Sequence, residues 1–409
     1  MPVTFEHATL PNGLTIISET DPSAHTAACG FFVKTGARDE ERSVMGVSHF
    51  LEHMMFKGTE KRSADDVNRE FDEIGASYNA FTSTELTAFH AATLPEHLPK
   101  AFDLLADILR PALRPADFDT EKGVILEEIA MYKDQPFWVL YERAMEEFYG
   151  SHALGFRVLG TDDTIKALQR DQMKSYFDFR YSADNTVLAL AGRIDFRAMV
   201  DRASRLCGHW TRTGAARDSS PPACRDSDFT IHDEKVTRGY LLVVSPGPAM
   251  RDERRYAAMM LAQVLGAPDN SRLHWALVEP GIAEDAQASY DAHDGIGSTF
   301  FFASGDPERA DEILSVIDRE VAGLVPSLTE DDLARLRNRL ATSVTLAGER
   351  PSGRMHRLGK LWPYLGEYKS LEQELDSINR VSLDDLRAVA EAFPFRPRTV
   401  GRMLPKAKG

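Results

Sequence analysis

The residues His49-Phe50-Leu51-Glu52-His53 have the types and spacing to do chemistry. On a helix, residues four apart share one face at about 6 Å, so His49 and His53 can both reach one ion. Two imidazoles suit zinc, and a zinc site that does chemistry takes three protein ligands and leaves one position for water. Glu52 follows His49 by three residues and precedes His53 by one. It can therefore sit over that water rather than on the metal, take its proton and pass it to a leaving amine. The flanking Phe50, Leu51, Met54, Met55 and Phe56 would bury much of such a helix. Two histidines and a glutamate among them would be costly without a metal or a partner.

The order H-x-x-E-H reverses the commoner H-E-x-x-H, and both are signatures of zinc peptidases. A third ligand must come from another element. Residues 115–136, PADFDTEKGVILEEIAMYKDQP, read as a helix carrying Glu121, Glu127 and Glu128. At 100° per residue, Glu121 and Glu128 fall within about 20° of each other, while Glu127 points about 100° away from Glu128. A glutamate-rich helix by itself more simply carries solvated charges. With a histidine pair to complete, Glu128 is taken as the ligand and Glu121, one repeat back, as a supporting acid. That choice rests on the histidine motif and on the resemblance described below.

The elements that must position these residues are legible in outline. Residues 1–20 read as a hairpin about Pro11-Asn12-Gly13, and 26–36 as a further strand. A helix is expected over 43–57, capped by Ser43 and stopped by Gly58. Residues 64–74 look helical, 76–94 alternate as strands do, and helical periods follow at 96–110, 116–133 and 136–149. A strand over 185–191 closes this half. Residues 211–227, rich in Gly, Pro, Ser and charge, read as a solvated linker. It separates a metal-bearing domain, 1–214, from a second domain, 228–409. The second half repeats the order of the first, with strand, helix, a ribbon after a helix-ending glycine (Gly75, Gly281), then helices. A duplicated α+β unit is the economical fold class. The second half lacks H-x-x-E-H, so one metal site per chain is expected. His90, His152, His293 and His356 have no ligand spacing.

Composition excludes other classes. The chain has 409 residues, 43% hydrophobic and 27% charged, with a net charge of −15. This is ordinary for a globular protein of two to four domains. An acidic surface disfavours nucleic acid and would attract basic peptides. No run of 18 apolar residues suggests a membrane span, and the N-terminal residues lack a secretory pattern, so a cytoplasmic location is expected. Cys29, Cys207 and Cys224 are too few and too scattered for a disulfide framework or a thiolate metal site.

HFLEHMMFKGTEKRSADDV, Asn79-Ala80-Phe81-Thr82-Ser83 and VILEEIAMYKDQP together resemble the pitrilysin, or insulinase-like, zinc peptidases. The likeness is greatest to the half-length bacterial relatives of the mitochondrial processing peptidases. HALGFRVLGTDDTI and YSADNTVLALAGRID match further phrases of that family, so the resemblance covers nearly the whole chain. It implies two α/β-sandwich-like domains facing each other as a clam shell around a chamber for unfolded peptides. It implies His49, His53 and Glu128 as ligands of one zinc, Glu52 as general base and Glu121 as supporting acid. It also implies that Asn79, Ala80, Phe81 and Thr82 form a sheet edge to which a peptide adds as an extra strand. Some relatives hold the peptide with an Arg and a Tyr from the non-zinc half, for which Arg354 and Tyr364 are the candidates here. A chain of this length supplies one two-domain half, so a homodimer, or a heterodimer with a related zinc-free chain, is expected. The expected activity is that of a metalloendopeptidase. The rival is a non-catalytic or partner-dependent subunit, since some relatives have lost their zinc ligands.

Overall fold

The computed structural model describes residues 3–406, so the first two and last three residues of the expected domain spans lie outside it. The chain forms two compact units. The first takes in the chain up to Ala130, Phe156–Asp218 and Leu346–Tyr368. Its sheet comprises β1 (Thr4–Thr9), β2 (Thr15–Thr20), β3 (Ala27–Val33), β4 (Ser77–Thr82), β5 (Thr87–Thr93) and β6 (Thr186–Gly192), in the order β1-β2-β6-β3-β5-β4. Only the β2–β6 pair is parallel. The Asn12-Gly13 turn closes the first hairpin as the sequence predicts, with Gly13 at φ 96°.

Alternation assigns the two faces of this sheet. Cys29, Phe31 and Val33 point into a core with Phe50, Leu51 and Met54 of helix α1 (Val47–Met55). Helix α2 (Ala64–Glu73), α3 (Leu98–Ile108) and α4 (Pro115–Lys133) complete that layer. Ala28 and Phe32 point the other way, onto Met355 and Leu358 of the helix Pro351–Leu365. Three helices were not legible in the sequence, at Asp162–Ala167, Arg170–Arg180 and Phe196–Cys207. The second of these buries only Met173, too little to write an apolar period.

Helix α1 starts later than its sequence suggests. Residues Arg42–Val44 form a 3-10 turn, so Ser43 is not the cap. Gly46, at φ 96°, occupies that position instead. Glu40 supplies the missing acceptor, taking the Gly46 and Ser48 N–H groups at 2.7 Å each.

The second unit comprises Met131–Gly155, Ser219–Thr345 and the chain from Lys369. Its strands are β7 (Ser227–Asp233), β8 (Gly239–Gly247), β9 (Ala283–Ala292), β10 (Gly297–Gly305) and β11 (Thr399–Pro405), in the order β7-β11-β8-β10-β9. The run β2-β6-β3-β5-β4 of the first sheet has the same order and the same directions, one parallel pair and then antiparallel ones. The duplication is therefore real at the level of topology, with β1 as an addition. Helix Arg255–Gly266 covers one face through Met260 and Leu261. Helix α5 (Pro136–Tyr149) covers the other through Leu140 and Phe148.

The units are not the two sequence halves. The segment with α5 clusters with the second sheet, and the segment with Pro351–Leu365 clusters with the first. Each of these helices has an apolar stripe, but a stripe does not specify which sheet it will cover. The expected solvated linker is also corrected in its first part. The Arg217 side chain is 2% exposed, and its Nε donates to Asp39 Oδ1 at 3.0 Å. A buried charge cannot stand unpaired, so this stretch is fixed to the first unit rather than free in water.

Candidate metal centre

His49 and His53 project from α1, whose other face is locked into the core by Phe50, Leu51, Met54 and Met55. Glu128 projects from α4, which is anchored by Phe118, Ile125 and Ile129. Glu128 Oε2 lies 3.7 Å from His49 Nε2 and 3.6 Å from His53 Nε2. One ligand atom from each residue falls within 4.8 Å of the other two, and among the described residues this is the one such group of three or more His, Cys, Asp or Glu. In a regular tetrahedron with bonds of about 2.0–2.1 Å, ligand atoms stand about 3.3–3.4 Å apart. The two separations from Glu128, 3.6 and 3.7 Å, are close to that.

The chemistry of the donors fits a metal as well. Burial, followed by the charge of His53, pushes His49 down to about 3, which leaves a neutral imidazole with a lone pair to give. His49 Nδ1 is buried without a hydrogen-bond partner. His53 Nδ1 and Glu121 Oε1 are 2.8 Å apart, which assigns the proton to Nδ1 and turns Nε2 toward Glu128. Burial raises the Glu121 carboxyl, but hydrogen bonds from His53 and Lys57 more than reverse this, so it sits below its usual range. Lys57 Nζ pairs with the second Glu121 oxygen at 2.6 Å. Glu121 therefore acts through His53 rather than at the open side of the group. Lys57 was missed in the sequence, although it lies four residues beyond His53.

Glu52 is held from the sheet. Thr82 Oγ1 donates to Glu52 Oε2 at 2.5 Å. Burial raises the Glu52 carboxyl, the Thr82 hydrogen bond and the His53 charge lower it, and Glu128 raises it again; the net shift is upward. A raised carboxylate is a better proton acceptor.

Asn79, Ala80, Phe81 and Thr82 lie on β4, which pairs with β5 alone and so forms an edge of the sheet. The four do not share one face. Tyr78 and Ala80 pack toward the α1 core, and Thr82 reaches Glu52 on that side. Asn79 stands opposite His90, and Phe81 joins the cluster under Pro351–Leu365. The Asn79 amide oxygen accepts the Ala80 N–H at 2.9 Å. Arg354 and Tyr364 also lie on Pro351–Leu365. Arg354 Nε donates to Gly348 O, and its Nη1 lies 3.4 Å from Asp21, while Tyr364 is buried. The structure thus gives Arg354 partners away from the histidines, on the face of the sheet opposite α1.

The turn after β4 is held by buried charge. Arg38 Nη1 donates to Glu85 Oε1 at 2.6 Å, and Arg217 Nη2 donates to the Glu85 carbonyl at 2.5 Å. Arg38 N also donates to Thr84 O at 2.8 Å. These contacts fix the turn that follows Thr82. No sequence signal marks them.

The chain is similar to known proteins over nearly its whole length. The profile described as Insulinase (Peptidase family M16) matches residues 15–162, and that described as Peptidase M16 inactive domain matches 167–340. An uncharacterized zinc protease of Streptomyces coelicolor is 34% identical over 400 residues, spanning 95% of this chain and 86% of that one. The chain belongs to the insulinase peptidase family. A second family member, an uncharacterized zinc protease of Bacillus subtilis, is 30% identical over 391 residues, 93% of this chain and 94% of that one. The insulinase-family fold recurs in a solved protease from Helicobacter pylori, with TM-score 0.91, 20% identity, and coverage of 99% of this chain and 100% of that one. It recurs also in a structure described as a peptidase M16 inactive domain from Pseudomonas fluorescens, with TM-score 0.91, 16% identity, and coverage of 99% and 98%. No described helix is long and apolar enough to cross a membrane.

Proposed function

We propose that this insulinase-family chain is a zinc-dependent metalloendopeptidase acting on peptides or unfolded segments. The observation that carries the reading is the convergence of His49, His53 and Glu128 with Glu52 beside them, held by Thr82. His49, His53 and Glu128 would hold one zinc. Bound there, zinc supplies Lewis-acid polarisation of a carbonyl and lowers the pKa of water toward neutrality. Glu52 takes the proton from the attacking water and returns it to the leaving amine. Glu121 keeps the His53 ring in one tautomer and orientation. The β4 edge, with its outward backbone groups, offers a register for an extended peptide beside Glu52.

The test is cleavage of an internally quenched unstructured peptide by the purified full chain. Turnover that stops with a chelator and returns with stoichiometric zinc supports the proposal. A zinc-loaded chain that cleaves nothing until a second, related chain is added would favour the partner-dependent subunit instead.

A further inference from the structure

The second unit holds a cavity of about 620 Å³ to which helices Arg255–Gly266 and Glu330–Glu349 both contribute. Trp275 and three arginines, Arg272, Arg335 and Arg339, line it. Asn270 takes a left-handed φ of 56°, which asparagine tolerates, and its Oδ1 accepts the Trp275 Nε1–H at 2.9 Å. Trp275 itself sits on a π-helical turn, His274–Val278, closed by the Glu279 N–H on His274 O at 2.9 Å. Such turns are rare and concentrate at functional sites. The indole is thus fixed at its edge, yet Trp275 is 58% exposed. A side chain of that size is ordinarily well covered.

The charges in the cavity do not cancel. Arg335 Nη2 pairs with Asp332 Oδ1 at 2.5 Å, and the Thr329 hydroxyl donates to the other Asp332 oxygen at 2.7 Å. Glu320, the remaining acid of the lining, has Arg319 at 3.1 Å. Arg272 and Arg339 have no carboxylate partner among the described residues. Arg272 Nη1 donates to Gly323 O at 3.2 Å, and Arg339 Nη1 lies 3.5 Å from Asp269 O. Each guanidinium is oriented by a backbone carbonyl and keeps other N–H groups to donate. Two cations without a counter-charge share one cavity in a chain whose net charge is −15.

A guanidinium meets phosphate through two parallel donors, so a pair of them suits a polyvalent phosphate group. An exposed indole suits a planar base, since every base has a face that stacks on an aromatic ring. Asn270, its oxygen taken by Trp275, keeps its Nδ2 to donate, and Gln263 adds a second amide to the lining. The volume is that of a site enclosing a whole small molecule. A nucleic acid strand, by contrast, would carry its charge across the acidic surface beyond the cavity and be repelled. We propose that this cavity is a binding site for a nucleoside diphosphate or triphosphate, its phosphates on Arg272 and Arg339 and its base on Trp275. Its residues all belong to the second unit and the metal group to the first, so the site stands independently of the peptidase reading.

The test is calorimetric titration of ADP, adenosine and pyrophosphate into the metal-stripped full chain. Divalent cations are left out, so that phosphate is not drawn to His49, His53 and Glu128 through a bound ion. ADP is expected to bind at least about five-fold more tightly than pyrophosphate, which lacks the base. It is expected to bind at least about ten-fold more tightly than adenosine, which lacks the phosphates. Trp275→Leu should bring ADP down to the level of pyrophosphate, and Arg272→Gln with Arg339→Gln to the level of adenosine. Thermal melts of the variants should match the parent; if the double variant melts early, Arg339→Gln alone, at an exposed position, carries the test. Pyrophosphate binding as tightly as ADP overturns the role of the indole, and adenosine binding as tightly overturns the role of the arginines. Absence of ADP binding, or ADP binding that survives unchanged in the variants, overturns the site.

Discussion

Thr82, on the edge strand of the first sheet, donates its hydroxyl to Glu52 on α1 at 2.5 Å. The bond joins the strand on which we place the peptide to the carboxylate that we propose takes the proton. Any displacement of β4 therefore moves the base.

Replacing Thr82 by Val removes that donor at nearly constant volume. A hydrogen bond to a charged group is worth about 1.5–3 kcal/mol. We expect kcat to fall about ten-fold or more, with zinc content unchanged. The Thr82 bond lowers the Glu52 pKa, so its loss raises it. Since Glu52 must be ionised to accept a proton, the acid limb of the pH–rate profile should move to higher pH. A profile that stays in place would separate Thr82 from the base.

Glu121 is 3% exposed and touches His53 rather than the open side of the group. Glu121→Gln keeps the shape but gives up the charge that holds the His53 ring and Lys57. Zinc affinity, measured by competition with a chelator of known strength, should drop about 10–100-fold. Saturating zinc should restore most of the turnover, which would not happen if Glu121 handled the reacting proton.

Arg217 is buried against Asp39 and Glu85. Arg217→Ala takes one of two arginine partners from each acid, Arg180 staying at Asp39 and Arg38 at Glu85, and we expect a loss of about 1.5–3 kcal/mol in denaturant unfolding. A variant as stable as the parent would mean that these residues are solvated in the molecule.

His90 and His356 meet with ring centroids 4.3 Å apart, with Lys360 nearby and Asn79 across the strand pair. Burial first, then the charges of His356 and Lys360, lower His90 to about 4 from 6.5. Folding thus disfavours the charged ring, and the unfolded chain binds the proton more readily. The stability this group contributes is full above about pH 6.5, falls as the pH drops and is gone near pH 4. Allowing for its partial exposure, the loss is about 1–2 kcal/mol. The melting temperature should decline from pH 7 to pH 5, and less steeply in His90→Gln.

The histidine pair was legible because its spacing is local, whereas the choice of Glu128 on a second helix needed the family resemblance as well. Four residues on one helix put His49 and His53 on one face, and seven on another put Glu121 behind Glu128. What the sequence hides is contact between distant segments. Glu40 capping α1, Lys57 closing on Glu121 and Arg217 returning to Asp39 each join residues whose neighbourhoods look ordinary in the chain. The exchange of α5 and Pro351–Leu365 between the units is hidden for the same reason. The duplicated α+β architecture was readable from element order, whereas Ser43 lost the cap of α1 to Gly46 because Glu40 could reach its free N–H groups.

On the proposed mechanism Glu52 takes the proton while His49, His53 and Glu128 hold the metal. The most direct measurement pairs zinc content with quenched-peptide turnover for the parent chain and for Glu52→Gln. About one zinc per chain is expected in both proteins, with turnover in the parent alone. A Glu52→Gln chain that cleaves at the parent's rate, or a parent that retains no zinc, would contradict it.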